Sequence, residues 1–256
     1  MPPVIATPET EGSHIKVLIY GNPGIGKTVF AATAQDHPAL ADVLFLNIEG
    51  GLISVAGRRD IAYETIQSVQ QLEEIFWCLA GNDPQYEPYR TIVIDSATEL
   101  QSLQLDHLVR DAAKKDTKRD IDAVQLQDYG KSTKSLRRIF RNFRDLDRHV
   151  IWTGLPKTKY KNKKDEETGE PAEVRPSVTD KLGTSLMGFV DYVWYYFMDK
   201  DDEGNDVRRI LTSDFGAYKA KTRGMQFSQA LGQVYDNPTM PDLYNLYLES
   251  EGAIYD

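Results

Sequence analysis

One cysteine, Cys78, stands in 256 residues. A single thiol excludes an internal disulfide and any zinc site built from cysteines. Its neighbours Ile75, Phe76 and Leu79 fall at helical spacing, so a packed core position is expected. No apolar run is long enough to span a bilayer. The opening residues, M-P-P-V-I-A-T-P-E-T-E-G, lack the basic and apolar stretches of a secretory leader. A soluble, cytoplasmic protein with no membrane partner is therefore expected. Positive charge is also short: 30 Lys and Arg against 39 Asp and Glu leave a net charge of −9. That total argues against a surface coated with nucleic acid and moves attention to local basic stretches. No internal repeat is visible. The hydrophobic share, 41%, suffices for a full core in one α/β domain.

What is present is concentrated in Gly21–Thr28, G-N-P-G-I-G-K-T, which fits the phosphate-binding pattern G-x-x-x-x-G-K-[ST]. The apolar run H-I-K-V-L-I-Y before it predicts a buried strand ending at Tyr20, and V-F-A-A-T-A after it predicts a helix. The expected nucleotide-binding segment is Gly21, Asn22, Pro23, Gly24, Ile25, Gly26, Lys27, Thr28 and Val29. Its glycines let successive N–H groups turn toward phosphate oxygens, and the helix aims its positive end at the same anion. Lys27 is expected to reach the β- and γ-phosphates, and the Thr28 hydroxyl to bind Mg²⁺. ATP with Mg²⁺ is the expected cofactor.

Along the rest of the chain, V-L-F-L-N-I (Val43–Ile48) reads as a strand buried on both faces, ending at Glu49-Gly50-Gly51, where α/β sheets place their ligands. A short strand over Ala62–Ile66 and a helix capped by Ser68 and closed by Gly81 follow. T-I-V-I-D-S (Thr91–Ser96) reads as the Walker B strand, whose Asp95 would hold Mg²⁺ through water or through Thr28. Helices are predicted over about Thr98–Ala113 and Ala123–Asp147. The second carries Leu136, Ile139, Phe140 and Phe143 at core spacing and several arginines, Arg137 and Arg141 among them, on a solvated or interface face. H-V-I-W-T-G (His149–Gly154) is another buried strand. Residues 155–180 hold three prolines and a run of charges without apolar period, and read as a structureless, mobile basic and acidic loop. Phe189–Met198 and Val207–Thr212 flank D-K-D-D-E-G-N-D, a hairpin signal, and a last helix lies near Leu243–Glu249. Residues 1–13 read as a loose tail. Residues 14–256 read as one α/β domain, with a mostly parallel central sheet flanked by helices and a C-terminal antiparallel β-hairpin.

A phosphate-loop strand, then a strand ending in Glu (F-L-N-I-E-G-G), then one ending in Asp-Ser (I-V-I-D-S) resembles the RecA-type ATPase core. Over roughly residues 15–250 the chain is similar to the short RecA-like phage ATPases of single-strand annealing and recombination. It shares with them G-N-P-G-I-G-K-T, the E-G-G after the second strand, Q-D-Y-G-K (Gln127–Lys131) and A-K-T-R (Ala220–Arg223); only the phosphate loop is highly specific alone. The resemblance implies a RecA-like P-loop NTPase whose ATP hydrolysis is stimulated by DNA. It implies single-stranded DNA and further copies of itself, in a ring or filament, as partners. A single-strand-binding protein is a further candidate partner, and a bacterial host the setting. Hydrolysis needs a group that positions water, and Ser96 follows Asp95 directly. Glu49 is therefore the expected catalytic carboxylate, with Glu99, a turn into the next helix, as the alternative. The resemblance also implies that Lys221 and Arg223 reach a neighbouring subunit's γ-phosphate. With Lys219 they are spaced by two, so on a strand they share one face; the plainer reading is a basic edge strand that discourages aggregation. In RecA-type proteins the loop after the strand equivalent to His149–Gly154 lines the DNA path. Here that loop offers Lys157, Lys159, Lys161, Lys163 and Lys164 around Tyr160. Lysines replace phosphate counterions and a tyrosine ring stacks on a base. The plainer reading is a solvated tip, because D-E-E-T-G-E follows at once. Lys114–Arg119 is a second candidate DNA-facing stretch.

Two other readings use the same phosphate loop. One is a nucleotide or small-molecule kinase with residues 155–180 as its lid, weakened by Arg175 being that segment's lone arginine. The other is a nucleotide-dependent scaffold or loader with little hydrolysis, with which the acidic total charge is compatible.

Overall fold

The computed structural model describes residues 14–116 and 118–252. The tail expected over residues 1–13 lies outside them. The segments predicted as strands form strands, wholly buried in the centre of the sheet and partly exposed over Ala62–Thr65. In the order of the sheet these are β3 (Ala62–Thr65), β2 (Val43–Asn47), β4 (Thr91–Asp95), β5 (His149–Gly154), β1 (Lys16–Tyr20) and β8 (Tyr192–Lys200), all mutually parallel. Beyond β8 the direction reverses. β9 (Asp206–Leu211) pairs antiparallel with its distal half, from Tyr195↔Leu211 to Lys200↔Asp206. The short β10 (Lys221–Thr222) pairs with its first residues, and β11 (Val234–Asp236) with β9.

Side chains alternate across this sheet and build a core on each face. Leu18, Leu46, Ile94 and Trp152 face one side, where α2 (Val69–Ala80), α3 (Ala97–Lys115), α4 (Leu126–Arg144) and α6 (Asp180–Phe189) cover them. Ile19, Phe45, Val93 and Ile151 face the other, beneath α1 (Lys27–Ala32), α7 (Met225–Leu231) and α8 (Met240–Gly252). Such double covering makes central strands apolar along their whole length. Cys78, expected in the core, is half-buried on α2.

Residues 155–180 depart from the expected structureless loop. They form an antiparallel ribbon of β6 (Pro156–Lys159) and β7 (Glu173–Pro176), with α5 (Lys163–Thr168) at its tip. Contacts from far along the chain hold the ribbon. The Tyr20 hydroxyl donates to the Val174 carbonyl at 3.1 Å, the Val174 N–H donates to Ala217 at 2.8 Å, and the Lys219 N–H to Val174 at 3.0 Å. None of these partners is local, so no local period announces the strands. Helix α4 is also shorter than expected. Gln125 and Asp128 form a capping box that starts it, and buried Asp128 is ion-paired with Arg119. Arg119, part of the second candidate DNA-facing stretch, thus points into the protein; Thr117 lies outside the described residues.

Candidate active site

All six parallel strands end on one edge of the sheet, and the loops that leave that edge bring together the predicted phosphate loop, Asp95 and Glu49. The chain turns away after β1 at Gly21, where only glycine fits. A Cβ there would collide with the carbonyl oxygen of Tyr196 on the neighbouring β8 and sit 3.2 Å from its carbon. Gly24 and Gly26 follow with φ of +75° and +109°, on the left-handed side that glycine takes without strain. Gly21 N–H donates to Gly154 at the end of β5 at 3.2 Å, which joins the loop to the adjacent strand. No side chain caps α1, so its first N–H groups are turned toward the loop. Asn22, Pro23 and Gly24 are exposed, Ile25 and Gly26 half-buried, and Val29 lies on the open side of α1.

Lys27 is buried at the base of this loop. Its ammonium donates to the carbonyls of Gly21 at 2.9 Å and Asn22 at 3.0 Å. Burial holds its pKa below the ordinary lysine value, while the Glu49 and Asp95 carboxylates pull it back up. Thr28 donates its hydroxyl to Asp95 Oδ2 at 2.8 Å. Asp95 is 3% exposed, and its other oxygen accepts from the Thr153 hydroxyl on β5. One carboxylate therefore ties the phosphate-loop helix to the strand between β4 and β1. The strand order β4-β5-β1 makes this possible, by setting the Thr153 end of β5 between the other two. A hydroxyl and a carboxylate beside a phosphate loop are hard oxygen donors suited to Mg²⁺.

Glu49 stands on the same edge, exposed, just past β2. The N–H groups of Ile48 and Glu49 donate to the Asp95 carbonyl at 2.8 and 3.0 Å, which fixes this turn against the end of β4. Glu99 lies in the first turn of α3, exposed, with its N–H on the Ser96 hydroxyl.

The remaining predicted residues stand apart from this cluster. β10 runs antiparallel to β8, so Lys221 lies opposite Val193 and Arg223 lies past Tyr192, toward the opposite edge of the sheet. Arg223 donates to Asp191 Oδ1 at 2.7 Å and to the Gly188 carbonyl at 3.0 Å. Lys221 is half-buried and its pKa is pushed down to about 8, chiefly by burial, with Arg223 adding and Asp191 opposing. Lys219 lies nearer the site edge, with its ammonium on Asp214 at 2.8 Å. On the ribbon, Lys157 and Lys159 both pair with Asp180, while Tyr160, Lys161, Lys163 and Lys164 are exposed toward the tip. The N-K-K-D at Asn162–Asp165 has the lettering of a guanine-reading motif. Here the Asn162 side chain accepts from the Asp165 N–H at 3.0 Å and is spent on capping α5.

Two residues at the site escaped the sequence reading. Thr153 had a signal, a hydroxyl at the final turn of a buried strand, whose meaning depended on strand order. Arg208 had none. It lies on β9, and its Nε donates to the Ile25 carbonyl of the phosphate loop at 3.0 Å, beside Gly26. Among the described residues no helix is long and apolar enough to cross a membrane.

Residues 13–228 match the family described as AAA domain. No curated protein matches the chain.

Proposed function

The chain belongs to the AAA domain family, a nucleotide-binding ATPase fold, and from that premise we propose that it is a Mg²⁺-dependent ATPase of RecA-like type that binds single-stranded DNA and promotes annealing or recombination. The observation that carries the hydrolytic part is the joining of Lys27, Thr28, Asp95 and Thr153 at one sheet edge, with Glu49 on the adjacent turn. The loop N–H groups and Lys27 hold the β- and γ-phosphates. Thr28 and Asp95 hold Mg²⁺, which when bound neutralises charge building on the phosphate oxygens. Glu49 orients a water and takes its proton as the water oxygen bonds to the γ-phosphorus and the bond to the ADP oxygen breaks. The products are ADP and inorganic phosphate.

The RecA-like assignment is supported by the strand order and by Glu49 leaving the strand next to that of Asp95. DNA binding is supported by the exposed ribbon lysines around Tyr160. Lys221 and Arg223 complete a neighbour's site in a ring or filament on this reading, with which their distance from their own chain's loop is compatible. Phosphate release from ATP with Mg²⁺, with and without single-stranded DNA, tests the whole reading. Several-fold stimulation by DNA, abolished in Lys27→Ala, is expected. Turnover indifferent to DNA would remove the DNA-dependent motor, and phosphate release only with an added acceptor would point to a kinase.

A further inference from the structure

The strongest unassigned feature is a groove of about 900 Å³ between α4 and the start of α6, beside the foot of the β6–β7 ribbon. Lys134, Arg137 and Arg141 of α4 line one wall and Lys181 of α6 lies on the other. On the helix these three α4 positions are three and four residues apart, so they form one stripe with steps of about 5–6 Å between Cβ atoms. Among the described residues, Lys134, Arg137 and Lys181 have no ion-pair partner. Arg141 lies over the Phe189 ring, 5.8 Å from its centre. The groove's one carboxylate, Asp180, is already engaged by Lys157, Lys159 and Arg175. At the upper end stand two uncovered side chains, Tyr129 at 38% exposure and Leu126 at 89%.

We propose that this groove binds the backbone of single-stranded DNA, with Lys134, Arg137 and Lys181 on phosphates and Tyr129 stacked on a base. The proposal rests on the single-stranded DNA reading above and deepens it by naming the path. A row of unpaired cations beside an exposed ring matches a strand that alternates phosphate with a flat base. The ribbon continues that path. Asp180 joins its foot to the groove, and Tyr160, Lys161, Lys163 and Lys164 extend it outward. The groove gathers these cations in a chain whose net charge is −9. The other occupant with matching charge is an acidic face of a second copy.

The test is fluorescence anisotropy of a labelled oligothymidylate against the full chain over a range of salt. The wild type is compared with Lys134→Gln/Arg137→Gln, with Tyr129→Ala and with the ribbon variant Lys163→Gln/Lys164→Gln. Loss of two phosphate contacts should lower the magnitude of the log–log salt slope by about 1.4 in the groove variant. Tyr129→Ala should weaken binding by about five-fold to a hundred-fold. Cross-linking of the wild-type chain to an iodouracil-substituted strand, mapped to Tyr129, supports the path without any variant. If the wild type fails to bind single-stranded DNA, the functional reading falls and the groove with it. If the wild type binds, the groove variants match it and only the ribbon variant loses slope, the groove proposal alone falls. It falls equally if the groove variants change the sedimentation mass while DNA affinity stays the same, because the occupant is then another copy.

Discussion

Lowering the pH from 7 to 5 should weaken the fold by about 2 kcal/mol through one imidazole. His149 begins β5 and is 4% exposed. Its Nδ1 accepts from the Ile15 N–H at 3.2 Å, so that nitrogen carries no proton. The rings of His14 and Tyr244 stand edge-on to it at 5.0 and 5.4 Å. Burial pushes its pKa down from 6.5 to about 3, and His14, Lys16, His37 and Arg90 all add to the fall. Because the folded value lies below the unfolded one, the unfolded chain binds more protons between the two. Stability is therefore full above about 6.5 and drains as pH falls toward 3. At pH 5 the unfolded imidazole is charged and the native one neutral. The gap of 1.5 pH units, at about 1.36 kcal/mol each, yields about 2 kcal/mol. His14, whose pKa is also lowered chiefly by burial, acts in the same direction. Urea unfolding at both pH values, in the wild type and in His149→Gln, isolates the effect, since other titrating groups are common to both proteins. An equal loss of stability in the two would refute the reasoning.

Three further predictions concern the site. Thr153→Val removes the hydroxyl on Asp95 with little change of shape. A hydrogen bond to a charged group is worth about 1.5–3 kcal/mol, so ATP turnover should fall about ten-fold to a hundred-fold and Thr153→Ser should restore it. Arg208→Ala loses the exposed bond to Ile25 and should raise the KM for ATP about two- to ten-fold while leaving the melting temperature unchanged, read by steady-state kinetics and calorimetry. Gly21→Ala drives a Cβ into the Tyr196 carbonyl and should cost about 3 kcal/mol with loss of nucleotide binding. Gly130→Ala, at an open position in the second turn of α4, should instead stabilise by about 0.5–1 kcal/mol, and thermal unfolding of the pair checks the contrast.

The parts of the molecule legible in the chain are those whose cause is local. Val43–Asn47 and Thr91–Asp95 are apolar along their whole length because both faces of the strand are covered, and that shows as an unbroken run. The glycines of Gly21–Gly26 sit where backbone angles or close approach demand them, and that shows as spacing. Asp95 and Glu49 were legible as the ends of such runs. Segment 155–180 was not, because Tyr20, Ala217 and Lys219 supply the bonds that make Val174 part of a ribbon. The reach of Lys157 and Lys159 was hidden for the same reason, since Asp180 takes both.

By itself, then, the sequence determined the strands, most helices and the phosphate loop, since period, capping and glycine conformation act over a few residues. Tertiary structure alone decided which ends meet. The order β4-β5-β1 set Thr153 against Asp95, the register of β9 on β8 brought Arg208 to Ile25, and the antiparallel run of β10 carried Arg223 to the far edge. The contacts Thr153–Asp95 and Arg208–Ile25 join residues 58 and 183 positions apart. They follow from how the sheet closes its two cores, a balance over the whole chain that no short stretch records.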